Sequence, residues 1–96
     1  MKIDFSKNSD KLIINLEGRL DTLTAPEFED FLKSNIAGVK EITLDLEKLV
    51  YVSSAGLRVL LSLNKKMKNN LTVVNVQELV MEVFEVTGFA DILVIK

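Results

Sequence analysis

The 96-residue chain contains no cysteine and no histidine. Without cysteine there are no disulfides and no thiol chemistry, and cysteine usage gives no indication of the redox compartment. Without histidine the chain lacks the usual general base for a serine nucleophile and the commonest metal ligand. A Ser-His-Asp hydrolase is therefore excluded, and we expect neither a metal site nor an enzymatic activity.

Glycine and long apolar runs are also scarce. The four glycines, Gly18, Gly38, Gly56 and Gly88, are widely separated, so neither a phosphate-binding P-loop nor a dinucleotide fingerprint is present. No apolar run approaches the roughly 18 residues of a membrane span, and the first residues do not form the apolar segment of a signal peptide. We therefore expect no cofactor, no membrane segment and a cytoplasmic location.

The balance of charges argues against nucleic acid as a partner. Twelve basic and fourteen acidic residues leave a net charge of −2, and no basic stripe interleaved with aromatics is present. A hydrophobic content of 48% is typical of a globular protein, and a chain of this length can bury one core. We expect residues 1–96 to form a single domain and, by default, a monomer.

Two strands and a helix are predicted in the first part of the chain. Apolar and polar residues alternate over residues 3–5 and 12–16, which predicts a hairpin of two strands. Thr24 and Glu27 have the spacing of a capping box, so a helix is predicted over residues 25–36 with Thr24 as its N-cap. Its predicted buried face consists of Phe28, Phe31 and Leu32.

Strands and helices alternate in the rest of the chain. Residues 41–46 and 71–75 have the patterns of strands. Between them a helix is predicted over about residues 54–69, because apolar or small residues recur there at three- and four-residue spacing, namely Gly56, Leu60, Leu63 and Met67. A third helix is predicted from the Asn75–Glu78 region to Thr87–Gly88, before a last strand at residues 92–95. Met81 falls on its predicted polar side, where a single exposed methionine usually has no functional meaning, and a partner contact is the alternative. Its predicted inner face consists of Leu79, Val80, Val83 and Phe84.

The predicted order of elements is β-β-α-β-α-β-α-β. After the opening hairpin, alternating strands and helices favour parallel neighbours joined by right-handed crossovers. The sequence therefore predicts an α/β fold, with a mixed, mostly parallel sheet and helices packed against it.

Two adjacent serines, Ser53 and Ser54, stand where the strand pattern gives way to the second helix. One interpretation is structural, because serine is a preferred N-cap whose replacement by alanine costs about 1 kcal/mol. The other interpretation is functional, in that one of the two hydroxyls is chemically modified. The residues alone leave both open.

Two stretches of the sequence carry a family resemblance. The first is Leu16-Glu-Gly-Arg-Leu-Asp21 leading into Thr24-Ala-Pro, and the second runs from Leu44-Asp-Leu46 through Tyr51-Val-Ser-Ser-Ala-Gly-Leu-Arg-Val-Leu-Leu61. With these motifs, essentially the whole chain resembles the STAS domain (sulfate transporter and anti-sigma-factor antagonist). It is most similar to the single-domain bacterial anti-sigma-factor antagonists.

The resemblance implies a phosphorylation site. In the family, a serine at the N-terminus of the second helix is phosphorylated by the anti-sigma factor, which is itself an ATP-dependent serine kinase. The resemblance places Ser54 at that serine. Ser53 is the second choice, because it occupies the position of a family aspartate. Ala55 stands at the family's second serine and Arg58 at a glycine.

The resemblance also implies a partner-binding surface and a switch. Asp21 and Asp45 match acidic residues of the family, and we expect both to lie near Ser54 and, with Ser53, Ala55 and Arg58, to contact the anti-sigma factor. The unmodified protein would bind the anti-sigma factor and free the sigma factor. The added charge would be repelled and costly to desolvate in that interface, until a phosphatase removed it.

Two other interpretations stay open at this point. A STAS-like scaffold subunit of a transport or signalling complex would use the serines only as a helix cap, and Ser53 in place of the family aspartate favours it. A small apolar or nucleotide ligand bound between sheet and helices is the third interpretation, although no motif specifies one.

Overall fold

A computed structural model describes all residues from 1 to 96 as a five-stranded sheet and three α-helices. The strands are β1 (Lys2–Asn8), β2 (Lys11–Leu20), β3 (Glu41–Val52), β4 (Leu71–Val74) and β5 (Val94–Ile95). The helices are α1 (Ala25–Asn35), α2 (Ser54–Met67) and α3 (Glu78–Thr87), and a 3-10 turn at Phe89–Asp91 precedes β5. The predicted order of strands and helices is confirmed.

The sheet is mixed, and its strands lie in the order in which they occur along the chain, β1-β2-β3-β4-β5. β1 is antiparallel to β2, and the other neighbouring pairs are parallel, as predicted. Since α1, α2 and α3 each follow a parallel strand, the N-termini of all three helices lie at the edge where β2, β3 and β4 end. This edge of the sheet carries the residues discussed below.

The core is entirely apolar. Alternate residues of β2 and β3 are buried, and no polar or charged residue is buried anywhere in the protein. Phe28 of α1 and Phe84 of α3 fill the space between helices and sheet with 0% exposure. Any chemistry of this protein therefore takes place at its surface. The buried residues of the two strands are Leu12, Ile14, Leu16, Leu20, Ile42, Leu44, Leu46, Leu49 and Val52.

β3 is longer than the sequence predicted, because it continues from residue 46 to Val52. The six residues of β2 from Asn15 to Leu20 lie opposite the eight residues of β3 from Asp45 to Val52. β3 therefore contains two irregularities of the kind called β-bulges. Each bulge resets the alternation of buried and exposed positions. The strict two-residue period used for the prediction therefore stopped at the first bulge.

The inner face of α3 differs from the prediction at two residues, whereas that of α1 agrees with it. Leu79 was predicted to face inwards, but it is 67% exposed, whereas Met81 packs against the core instead of lying on the polar side. Phe31 is half-buried, with its ring 5.0 Å from that of Phe5.

None of the helices is both long enough and apolar enough to cross a membrane. β5 is only two residues long, shorter than predicted.

Candidate functional site

The two serines and Asp21 lie side by side because their strands end together. Leu20 pairs with Val52, and the N–H of Ser53 donates a hydrogen bond to the carbonyl of Leu20 at 2.9 Å. Asp21 and Ser53 are the next residues of the two strands. We call the loop 21–24 together with residues 51–58 the serine edge.

Ser53 has a structural role. Its backbone is extended (φ −97°, ψ 175°), and its hydroxyl accepts a hydrogen bond from the N–H of Gly56 at 3.3 Å. Its carbonyl accepts the first intrahelical bond, from Leu57, at 2.8 Å. Ser53 is therefore the N-cap of α2, which confirms the structural interpretation for one serine of the pair.

Ser54 is placed differently. It is the first residue of α2, it is exposed to solvent, and its hydroxyl makes no hydrogen bond within the protein. Ser54 belongs to the first turn of α2, where backbone N–H groups without intrahelical partners and the helix dipole favour negative charge. Of the two hydroxyls, only that of Ser54 is available for chemistry without loss of an existing bond.

Asp21 organises the loop that faces the serines. Its Oδ1 accepts hydrogen bonds from the N–H of Leu23 at 3.0 Å and of Thr24 at 3.1 Å, and its carbonyl accepts one from Ala25 at 2.8 Å. The hydroxyl of Thr24 accepts from the N–H of Asp21 at 2.8 Å and donates to the carbonyl of Arg19 at 2.8 Å. The loop between β2 and α1 is thereby fixed in one conformation.

The predicted capping box at Thr24 is wrong. Thr24 has a helical backbone (φ −98°, ψ −17°), and its side chain caps no N–H of α1. An N-cap needs an extended backbone to direct its oxygen back to the first turn, so the hydroxyl bonds to the preceding loop instead. The carboxylate of Asp21 satisfies the N–H groups that precede the helix.

These bonds set the charge state of Asp21. Hydrogen bonds from the backbone N–H of Thr24, then from Leu23, and the nearby Arg19 lower the pKa of the Asp21 carboxyl below its ordinary value of 3.8, against a smaller opposing effect of desolvation. The carboxylate is therefore fully ionised at neutral pH, and a fixed negative charge stands beside the serines.

Tyr51 of the serine edge contacts Arg19 of β2, and the sequence analysis gave neither residue a role in the site. They pair across β2 and β3, with the Arg19 guanidinium 4.2 Å from the centroid of the Tyr51 ring. The Nε of Arg19 lies 3.4 Å from Oδ2 of Asp21. The pair depends on the register after the second bulge, which the two-residue period does not predict.

Leu23 is the other residue that the sequence did not single out. It lies at the tip of the Asp21 loop with 88% of its side chain exposed. An apolar side chain held outwards by a rigid loop is a typical interface contact. Its only signal in the sequence is an apolar residue between two threonines.

Ala55 and Arg58 lie beside Ser54 on the wall of a groove between α1 and α2. The groove has a volume of about 380 Å³ and is open to solvent. Glu29 of α1 lies on the opposite wall, but Arg58 forms no ion pair with it or with any other residue. The remaining lining residues are Thr22, Ala25, Pro26, Val59 and Ser62.

Asp45 does not lie beside Ser54, contrary to the expectation from the sequence. It sits mid-strand in β3, paired with Asn15 and Val74, because the strand continues to Val52. At about 3.3 Å per paired residue of β2, roughly 17 Å of strand separates it from the serine edge. Its carboxylate accepts hydrogen bonds from the N–H of Glu47 at 3.0 Å and from Asn75 at 3.3 Å.

The chain matches the model of a known protein family. The family model described as "Mlab, STAS domain" matches residues 3–95. The chain belongs to the STAS domain family. The resemblance inferred from the two sequence motifs is thus confirmed over nearly the whole chain. No group of three or more acidic residues in this STAS domain is placed to hold a metal ion.

Two curated relatives of this STAS domain bear names that describe a regulatory role. A Bordetella bronchiseptica protein with the provisional name anti-sigma factor antagonist BtrV is 35% identical over 96 residues, covering 96% of this chain and 83% of its own. The anti-sigma-B factor antagonist of Listeria monocytogenes is 29% identical over 96 residues, covering 94% of this chain and 82% of its own.

Solved structures support the fold. A Mycobacterium paratuberculosis anti-sigma factor antagonist superposes with a TM-score of 0.85 at 18% identity, covering 98% of this chain and 83% of the other. The Bacillus cell fate determinant SpoIIAA in its phosphorylated form superposes with a TM-score of 0.75 at 17% identity, covering 99% of this chain and 91% of the other. The five-stranded sheet and three helices are thus the fold of known STAS proteins.

Proposed function

We propose that this STAS domain is an anti-sigma-factor antagonist that binds an anti-sigma factor through the serine edge and is switched off by phosphorylation of Ser54. The names of the curated relatives support the antagonist role. The phosphorylated state of one solved relative is consistent with the switch. The observation that carries the proposal is the placement of Ser54, with a free, exposed hydroxyl on the first residue of α2.

The environment of the two serines favours Ser54 over Ser53. The Ser53 hydroxyl is half-buried and already caps α2 through Gly56. A phosphoryl group on Ser53 would have to displace that hydrogen bond or move the chain. The same group on Ser54 would leave the cap intact and project into solvent, where a kinase can reach it.

The proposed modification is an ordinary phosphoryl transfer. The γ-phosphoryl group of ATP moves to Oγ of Ser54, ADP leaves, and the hydroxyl proton is lost to the kinase or to water. The kinase is the anti-sigma factor itself. A phosphatase later hydrolyses the phosphoserine and restores the active form.

The electrostatics of the serine edge explain how one modification could switch binding. A phosphoryl group adds about −1.5 to −2 charges at neutral pH, next to the ionised carboxylate of Asp21. The N-terminus of α2 can hold this charge without unfolding. A partner that buries Ser54 must then desolvate two neighbouring negative charges, and each 1.4 kcal/mol of that cost weakens binding about tenfold.

The proposed contact surface consists of Asp21, Ser53, Ser54, Ala55 and Arg58 in a monomer. Asp45, about 17 Å away along the sheet, is a proposed contact only at the far side of the interface. A partner surface of about 800 Å² is wide enough to include both.

The test is the intact mass of the protein after incubation with candidate anti-sigma kinases and Mg-ATP. Wild type, Ser53→Ala and Ser54→Ala are treated in parallel. We expect a gain of one phosphoryl group in wild type and Ser53→Ala and none in Ser54→Ala. A gain lost only in Ser53→Ala would move the site by one residue.

Binding to the anti-sigma factor is measured for the same three proteins and for Ser54→Asp. We expect Ser54→Asp to bind at least tenfold more weakly than wild type. No phosphoryl gain with a kinase that demonstrably binds the protein, together with equal affinities, would contradict the switch and favour an unphosphorylated scaffold.

A further inference from the structure

The protein has two arginines, Arg19 and Arg58, and both lie at or beside the serine edge. Arg19 is engaged, because its guanidinium stacks on Tyr51 and its Nε faces Asp21 at 3.4 Å. Arg58 is exposed and takes part in none of the three ion pairs of the protein. One guanidinium beside Ser54 is therefore free.

Arg58 stands four residues after Ser54 on α2, so the two side chains share one face of the helix. Residues at this spacing have Cβ atoms about 5–6 Å apart, within reach of a guanidinium. An anion at the N-terminal position and a cation four residues later is the favoured order of such a pair. Arg58 is therefore placed to pair with a negatively charged group on Ser54.

Charges along α2 point the same way. The helix contains Arg58, Lys65 and Lys66 but no acidic residue, and no acidic side chain occupies its first turn. Free arginine near a helix N-terminus is unfavourable, since the dipole there is positive. A phosphoryl group on Ser54 would supply the missing negative charge for both the dipole and Arg58.

We propose that Arg58 is a positioning residue that pairs with the phosphoryl group on Ser54 and holds it against the α1–α2 groove. This inference rests on the proposed modification of Ser54. The guanidinium matches phosphate oxygens with two parallel N–H donors. The pair directs the phosphoryl group towards the groove wall formed by Ala55 and Arg58, and away from the like charge of Asp21.

The test uses full-length protein with phosphoserine incorporated at position 54 during translation, so that no kinase is needed. The second pKa of the phosphoserine is measured by ³¹P NMR titration in three proteins: the one that keeps Arg58, the Arg58→Gln variant and the Arg58→Lys variant. A paired cation favours the dianion, so we expect Arg58→Gln to raise that pKa by about 0.4. Arg58→Lys should retain part of the effect.

The matched control is Lys65→Gln, which removes one positive charge from the same helix. Lys65 lies eleven residues beyond Ser54, about 16 Å along the helix axis, so we expect no change of the phosphoserine pKa. Asp21, Glu29 and Arg19 also face this region and are present in every variant. Their influence cancels in the comparison.

Equal phosphoserine pKa values in the protein that keeps Arg58 and in Arg58→Gln would overturn the proposed pairing of Arg58 with the phosphoryl group. So would an equal rise in Lys65→Gln, because it would mean a general effect of net charge. Thermal denaturation of each variant verifies that it is folded. Since the phosphoserine is encoded, failure of this test is distinct from failure of an anti-sigma factor to phosphorylate Ser54.

Discussion

Gly56 of α2 lies directly against Leu20, the last residue of β2. A Cβ on Gly56 would stand 2.7 Å from the carbonyl oxygen of Leu20 and 2.8 Å from its Cγ. Real Cβ atoms do not approach other atoms so closely, and the carbonyl is also held by the N–H of Ser53. The first turn of α2 is therefore seated on the end of β2, which fixes both serines relative to Asp21.

Gly56→Ala should shift the start of α2 away from the sheet. We expect a loss of about 1–3 kcal/mol in the free energy of unfolding, as for other overpacked positions, measured by urea denaturation. Ser62→Ala, an exposed position of the same helix, is the control and should change stability by less than about 0.5 kcal/mol. A Gly56→Ala protein as stable as the control would contradict the close contact.

The two serines should differ in their contribution to stability. Ser53→Ala removes the N-cap of α2 and should lower the free energy of unfolding by about 1 kcal/mol. Ser54→Ala removes an exposed hydroxyl without a protein partner and should change it by less than about 0.5 kcal/mol. Chemical denaturation of both variants in parallel makes the comparison, and equal losses would refute the assignment of Ser53 as the cap.

Asp21 should give the loop before α1 a defined pH dependence. Its pKa in the folded protein is lowered below 3.8 by the N–H groups of Thr24 and Leu23, whereas an unfolded aspartate titrates at about 3.9. The stabilisation by the carboxylate is therefore present above the unfolded pKa and is lost as the pH falls through the folded pKa.

The Asp21→Asn variant makes this dependence measurable. The substitution removes the charge, while the amide oxygen keeps one hydrogen-bond acceptor. We expect the variant to be less stable than wild type at pH 7 and to approach wild-type stability as the pH is lowered towards 2 to 3. An NMR titration of the Asp21 carboxyl carbon gives its pKa directly. A value at or above 3.9 would refute the assigned effect of the two N–H groups.

Leu23 should contribute to partner binding and not to folding. Burying a leucine side chain that is free in solution contributes about 1.5–3 kcal/mol, so Leu23→Ala should weaken anti-sigma-factor binding about tenfold or more, measured by calorimetry. Val86→Ala is the matched control, because Val86 is equally exposed (87%, against 88% for Leu23) and lies on α3. Similar losses of affinity in both variants would exclude a specific role for Leu23.

The sequence predicted those elements whose pattern is local. The start of α2 was evident because Gly56, Leu60 and Leu63 recur at helical spacing, and the burial of all three bears this out. The end of β3 was not evident, because two bulges interrupt the two-residue period. The buried residues after the first part of the strand are three positions apart, at Leu46, Leu49 and Val52. Bulges are set by pairing with a neighbouring strand, which a single sequence does not display.

The same distinction applies to the serine edge. Ser53 and Ser54 could be located from the change of period, but which of them caps α2 depends on their backbone angles. Arg19 and Tyr51 meet only through the register of β2 and β3, so no local pattern joins them. Apolar residues are so dense in α3 that more than one helical face fits them, which is why Leu79 and Met81 were assigned to the wrong sides.

The hydrogen bonds around Asp21 have a consequence for the speed of regulation. Because the carboxylate and the hydroxyl of Thr24 already fix the loop, a partner that binds there has little backbone entropy to remove. We therefore expect no slow rearrangement of this loop between the free and the bound protein. Under the proposed function, the time needed to turn the signal on or off is set by the kinase and the phosphatase, and the antagonist itself adds no delay.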